Sequence, residues 1–461
     1  MRHPRFRSVA AVLLVGSLAT PLETPLAAQQ KSRAQMVSAI DSVVASYLKG
    51  GKAAGMSVAV IKGRDTLALK GYGFADLELN TPTPARAVYE IGSVTKQFTA
   101  AAILQLRDAG KLSLTDNISK YLPDYPTQGH TITVGQLLDH TSGMKDYTSL
   151  PKFGDIASRT LPRDSLIAMF KVLPFDFKPG ELQLYTNSAY FLAGLIIEKA
   201  SGESYAAYIK KHLFDKAGMP DSRYCSESAI IPRKAHGYDM GAKGLENKAP
   251  LSHVYPFSAG SICSTAGDLA AWNRALHGGK VLSAAAYRDI TTPSRLNDGT
   301  TIRYAKGLVI QTFDGRRVIE HAGGINGFLS QSTYYPDGDV IIVVLINTGG
   351  PVSPTEVAKT LANVVLAPVK TVSATYTGDL AAFAGEYNGP GRGRPMKIKI
   401  TAKGGQLYLA AEGMPKPIDL AYRPGDRWEH DGQLVTFVRA GGKVTKMKID
   451  QAYGYSVLTK K

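Results

Sequence analysis

Ile91-Gly92-Ser93-Val94-Thr95-Lys96 sets a lysine three residues after a serine, directly behind a glycine and ahead of a run that turns helical. The spacing predicts a helix from Ser93 to Ala109, closed by Gly110, with Lys96 one turn on and on the same face as Ser93. A serine hydroxyl needs a base to become a nucleophile. A lysine serves only where burial or nearby positive charge favours its neutral amine over the reference pKa of about 10.4. The first turn of a helix also offers free backbone N–H groups to a developing oxyanion. Alone the pattern is common, and its weight depends on what surrounds it.

Two further stretches supply that context. Tyr185-Thr186-Asn187 follows Lys178-Pro179-Gly180 and opens a segment, Asn187 to Ala200, that is apolar on nearly all sides and reads as a buried helix. A tyrosine oxygen beside Lys96 can relay protons to and from Ser93, and an asparagine amide can orient a substrate carbonyl. A core tyrosine and an N-capping asparagine are the plainer reading. His321-Ala322-Gly323-Gly324 ends a strand, where glycines let a substrate backbone approach the edge. The N–H of Gly324 is placed to complete an oxyanion hole with that of Ser93, while His321 taken singly reads as structural.

Outward from these motifs the pattern is α+β. Ser32 and Gln35 form a capping-box signal, followed by Met36, Val37, Ile40, Val43, Val44 and Tyr47 at helical spacing and by Gly50-Gly51 as a stop. Met56 to Ile61 and Thr66 to Tyr72 read as two strands around Gly63-Arg64-Asp65. Thr133 and Gln136 signal another helix start. Strands return at Arg317 to His321, Gly327 to Tyr335 and Val340 to Leu345, so a sheet assembled from both ends with helices inserted between is expected. Beyond Ala367 to Thr377 come short alternating runs (Met396 to Ile400, Leu407 to Leu409, Leu434 to Val438) that predict a small antiparallel barrel or sandwich. The expected division is a signal peptide over 1–28, a first domain over 29–368 and a small all-β domain over 375–461.

At the N-terminus, Arg2, His3, Arg5 and Arg7 precede an apolar stretch from Val9 to Leu18 and then Leu26-Ala27-Ala28, the three parts of a secretory leader cleaved after Ala28. The apolar run falls short of the about 20 residues that span a bilayer. Export bears on the two cysteines, Cys225 and Cys263, which either pair in an oxidising compartment or remain buried thiols. The nine histidines never fall into a paired ligand spacing and there is no CxxC, so neither a metal nor a cofactor is expected. The net charge of +16 comes from Lys and Arg spread along the chain with no basic run interleaved with aromatics. That excludes a nucleic-acid groove and leaves a cationic surface with weak, unspecific attraction to an anionic cell envelope.

Taken in order, Ser93-x-x-Lys96, Tyr185-x-Asn187 and His321-x-Gly323 make the chain resemble the serine β-lactamase and penicillin-binding protein superfamily. It is most similar to the class C β-lactamase-like branch with its D-alanyl-D-alanine carboxypeptidases, D-aminopeptidases and esterases. Leu137-Leu138-Asp139-His140-Thr141-Ser142-Gly143, Pro179-Gly180 and Ser264-Thr265-Ala266-Gly267-Asp268-Leu269 are similar to segments of that branch, and the likeness covers residues 30 to 368. It implies a β-lactamase-like antiparallel sheet flanked by helices, with an inserted helical region. It also implies an exported hydrolase with Ser93 attacking, Lys96 and Tyr185 sharing the proton work, and Asn187, His321, Gly323 and Gly324 binding a small-molecule or peptide substrate. His321 stands where many members carry the Lys of Lys-Thr-Gly, and with a reference pKa of about 6.5 it offers less fixed charge. Ala322 lacks the hydroxyl of the Thr. Both departures weaken capture of β-lactam carboxylates and motivate an alternative, a penicillin-binding or sensing protein that acylates or binds without turnover.

Overall fold

The structure, a computed structural model, describes Met1 and residues 31–369 and 374–461. Apart from Met1 the expected leader over 1–28 lies outside the described residues, among which no helix is long and apolar enough to cross a membrane.

The first helix, Arg33–Leu48, opens on the capping box read from sequence, with Ser32 and Gln35 each accepting from the other's backbone N–H. Gly55–Lys62 and Asp65–Asp76 form the antiparallel hairpin that follows. Val340–Ile346 then joins Gly55–Lys62 from its other side, Met56 opposite Ile346 and Lys62 opposite Val340. An eight-stranded sheet results, ordered Tyr304–Ala305, Leu308–Phe313, Arg316–Ile325, Phe328–Tyr335, Val340–Ile346, Gly55–Lys62, Asp65–Asp76, Thr81–Pro82. Strands from both ends of the first domain thus meet at the sheet centre, and the helices Thr95–Asp108, Asn187–Ser201 and Ala266–His277 between them pack on one face.

Val340–Ile346 is apolar at every position because it is buried on both faces. Val340, Ile342, Val344 and Ile346 pack with Ile40, Val44, Val357 and Leu361 of the two terminal helices, Arg33–Leu48 and Pro354–Val365. Ile341, Val343 and Leu345 point the other way, into the larger core with Phe98, Leu192 and Leu269 of the helices Thr95–Asp108, Asn187–Ser201 and Ala266–His277. The second face therefore carries the helices that bear Lys96 and Asn187.

The C-terminal strands run from Gly385–Gly389 to Gly454–Lys460, each antiparallel to the next, and close with Tyr387 opposite Lys460. This is a barrel rather than a sandwich, filled by Phe383, Tyr387, Trp428, Phe437 and Met447. Its sheet counts nine strands because Gln183–Leu184 of the first domain adds to the last barrel strand, Leu184 opposite Gly454. A short ladder of main-chain bonds thus ties the barrel to the segment that leads into Tyr185.

Leu345→Ala should lower the unfolding free energy by about 2–5 kcal/mol, because a fully buried side chain is removed from a strand with no room to collapse. Equilibrium urea unfolding measures it, and a loss under about 1 kcal/mol would contradict this packing.

Candidate active site

Ser93 sits in a 3-10 turn, Gly92–Val94, that precedes the α-helix Thr95–Asp108, rather than in the first turn of that helix as the sequence suggests. The cause is a close approach. Gly92 has φ +50°, and a Cβ there would lie 2.8 Å from the Gly324 carbonyl oxygen, so only glycine allows the strand end and the serine turn to meet. Gly323 is equally confined: a Cβ would fall 2.2 Å from Ile91 O and 3.1 Å from Ser93 N. Ser330 Oγ fixes the junction by donating to Ile91 O at 2.8 Å. Lys96, in the first turn of the α-helix that follows, stands three residues on and on the same face as Ser93.

The segment before the turn is pinned from behind. Tyr89–Glu90 pairs with Ile262–Ser264, Glu90 opposite Cys263, and Cys263 is disulfide-bonded to Cys225. Of the two states the sequence left open, the structure holds the bonded one. Burial of the Glu90 carboxylate would raise its pKa, but His253, Lys248 and Lys234 outweigh that and hold it low.

Lys96 is fully buried. Its Nζ donates to Asn187 Oδ1 and Ala259 O, both at 2.8 Å, and lies 3.1 Å from Ser93 Oγ. Among the described residues no carboxylate comes within ion-pair distance of it. Burial, reinforced by the Arg392 cation and opposed by Asp146, holds its amine well below the ordinary lysine range. The Tyr185 ring lies 4.6 Å from Nζ. Burial raises the Tyr185 phenol and the nearby Ser93 offsets part of that rise, yet the two hydroxyls stop short of hydrogen-bond geometry.

Asn187 is expected to bind a substrate amide, but both its ends are engaged, Oδ1 by Lys96 and Nδ2 by Thr148 Oγ1 at 3.1 Å. His321 also differs from the expectation. Its side chain is fully buried behind the cleft residues Tyr185 and Tyr453, Nδ1–H toward the Ala322 carbonyl and Nε2 accepting from Tyr304 Oη at 3.0 Å. Burial, then the neighbouring Lys96, pushes its pKa down to about 3, so it brings no positive charge. Ala322, Gly323 and Gly324 do line the cleft.

That cleft, about 880 Å³, runs from Ser93 past Asn187 and the strand end to Arg392, Met396 and Tyr453 of the barrel. Sequence reading missed these barrel residues, and also His140 and Asp146. His140 accepts from Thr186 N at 3.1 Å and stacks on Tyr185 at 4.2 Å, holding the tyrosine in place. Its only signal was its place in the Leu137–Gly143 segment. Among the described residues a single group of metal-capable side chains, Asp76, Glu78 and His236, comes together, and it lies outside the cleft lining.

Fold and site define the class: a serine hydrolase on the framework shared by β-lactamases and penicillin-binding proteins. The chain belongs to the Beta-lactamase family, which matches residues 40–367. A penicillin-binding protein of Bacillus subtilis (strain 168) is 30% identical over 306 residues, 63% of this chain and 67% of that protein. Among solved structures, the octameric penicillin-binding protein homologue from Pyrococcus abyssi superposes with a TM-score of 0.62 at 25% identity, covering 91% of this chain and 99% of that one. A D-stereospecific amidohydrolase from Streptomyces sp. gives 0.61 at 26% identity, covering 71% and 97%.

Gly92→Ala should slow acylation of Ser93 by about 10²-fold, because the methyl would push the serine turn off the Gly324 strand end. Rapid-quench labelling checks this, and an unchanged rate would show that the contact does not set the geometry.

Proposed function

We propose that this chain is an exported hydrolase that forms an acyl-enzyme at Ser93 and acts on D-amino-acid peptides or related amides and esters. The observation that carries the reading is the buried Lys96 amine against Ser93 Oγ, with no carboxylate within ion-pair distance among the described residues. In acylation the neutral amine takes the Ser93 proton as Oγ attacks the acyl carbon. The amides of Ser93 and Gly324 receive the oxyanion. As the tetrahedral centre collapses, the proton passes to the leaving group, with the Tyr185 hydroxyl as relay. Water then attacks the ester as Lys96 accepts its proton, and collapse of the tetrahedral centre hands that proton back to Ser93 Oγ, which releases the acid and restores Ser93 and the neutral amine.

Asn187 acts in this scheme by holding Lys96, and the strand end Ala322 to Gly324 receives the substrate backbone. The neutral, buried His321 and the methyl of Ala322 offer no fixed cation or hydroxyl to a β-lactam carboxylate, which favours peptides, amides and esters over β-lactams as turned-over substrates. The Streptomyces relative, described as D-stereospecific, supports the D-configured class. Export through the leader over 1–28 fits the Cys225–Cys263 disulfide, and the net charge of +16 fits weak attraction to an anionic envelope.

Intact-mass measurement after exposure to penicillin and to a small activated ester should show an adduct on Ser93 that Ser93→Ala abolishes. Ester turnover should follow, with penicillin held as a slow adduct; an adduct that never turns over with any ester would favour the sensing alternative, and labelling retained in Ser93→Ala would refute the reading. The acylation rate should fall as pH drops through the Lys96 pKa, because protonation removes the base. That acid limb should lie well below the ordinary lysine range. A limb near pH 10 would contradict it.

A further inference from the structure

Arg392 joins the barrel to the side chains that hold Lys96. Arg392 lies on the turn Gly391-Arg392-Gly393 between the first two barrel strands. The turn is pressed against the first domain: Gly393 has φ +73°, and a Cβ there would fall 2.6 Å from Ser149 Oγ. From it the guanidinium enters the cleft, where Nε donates to Asp146 Oδ2 at 2.6 Å and Nη2 to Thr148 Oγ1 at 3.0 Å. Its centre stands 5.2 Å from the middle of the Tyr185 ring.

The partners of Arg392 are the supports of the nucleophile. Asp146, only 2% exposed, also accepts the Asn187 backbone N–H at 3.1 Å and the Thr148 hydroxyl at 2.8 Å, so it caps the start of the Asn187 helix. Thr148 Oγ1 in turn accepts from Asn187 Nδ2, and Asn187 Oδ1 accepts from Lys96. An unbroken chain of hydrogen bonds therefore runs from the barrel to Ser93: Arg392, Thr148, Asn187, Lys96, Ser93. A second barrel contact, Ala322 N donating to Tyr453 Oη at 2.7 Å, fixes the strand end on the opposite wall.

We propose that Arg392 is a positioning residue for acylation: it fixes Asp146 and Thr148 so that Asn187 holds Lys96 against Ser93, which makes the barrel a working part of the active site. This rests on the Ser93 acyl-enzyme reading. Two effects separate on chemical grounds. The fork geometry of Arg392 sets where Asn187 and Lys96 stand. Its charge, second after burial, opposes protonation of Lys96. The other groups facing Lys96 are Tyr185, Tyr190, His140, His321 and Asp146. Burial keeps both histidines and both tyrosines neutral, so Asp146 and Arg392 are the only charged members of the set.

The test compares full-length wild type with Arg392→Ala, Arg392→Lys and Thr148→Val. The readout is the rate of Ser93 acylation by p-nitrophenyl acetate and by penicillin G across pH. Arg392→Ala should slow both probes alike, by roughly 10- to 100-fold, and move the acid limb to higher pH, at tenfold in rate per pH unit below the limb. Arg392→Lys should keep the limb in place and recover part of the rate. Thr148→Val should slow acylation at every pH and leave the limb unmoved. Loss confined to penicillin G would make Arg392 a substrate clamp and overturn the proposal, as would wild-type rates in Arg392→Ala. Should Arg392→Ala fail to fold, wild-type rates in both Arg392→Lys and Thr148→Val overturn it equally. Failure of the wild type to label at Ser93 would instead bring down the acyl-enzyme reading, so the two failures are told apart.

Discussion

A lysine amine with no carboxylate within ion-pair distance among the described residues, shut away from water beside a serine hydroxyl, is the constraint on which the rest of this structure depends. Burial of an ammonium costs free energy that only pairing or neutralisation relieves. Here the neighbours of Lys96 are two neutral oxygen acceptors and Ser93 Oγ, with the rings of Tyr185 and Tyr190 close by. The site therefore favours the neutral amine, the form able to take a proton. Every wall that keeps water from Nζ belongs to a different part of the chain: the Asn187 helix, the segment around Ala259, Tyr185 and the helix of Lys96 itself.

The sheet makes that convergence possible. Because Gly55–Lys62 and Val340–Ile346 pair at its centre, residues nearly three hundred positions apart share one rigid platform. The strand ending at Gly324 is then delivered to the serine turn, and the contact is so close that glycine is required on both sides. The disulfide between Cys225 and Cys263 and the buried Glu90 cluster brace the same turn from the rear.

Much of this was legible in sequence where the signal is local or periodic. The Ser32 capping box, the hairpin around Gly63-Arg64-Asp65, the apolar run Val340 to Leu345 and the spacing of Ser93 and Lys96 depend on residues within a few positions of one another. Ser93, Tyr185, Asn187, Gly323 and Gly324 of the three motifs line one cleft. What sequence could not show was the partner of each polar group. His321 reads as a candidate for substrate contact, but strand alternation alone does not say that its face is covered by Tyr304 and the Tyr453 ring. Asn187 looked free to greet a substrate until Thr148 and Lys96 were found at its two ends. Arg392 stands in a Gly-rich turn of a segment with no site-like pattern, and its role comes from a docking between domains that no local pattern encodes.

Direct titration of the Lys96 amine tests the central claim most sharply. Side-chain nitrogen resonances of isotopically labelled lysine, assigned with a Lys96→Arg variant, report the protonation of Nζ in the folded protein. The account predicts a Lys96 signal that is already neutral at pH values where the surface lysines remain charged. A Lys96 resonance that titrates with those surface lysines, near the reference value of about 10.4, would contradict it.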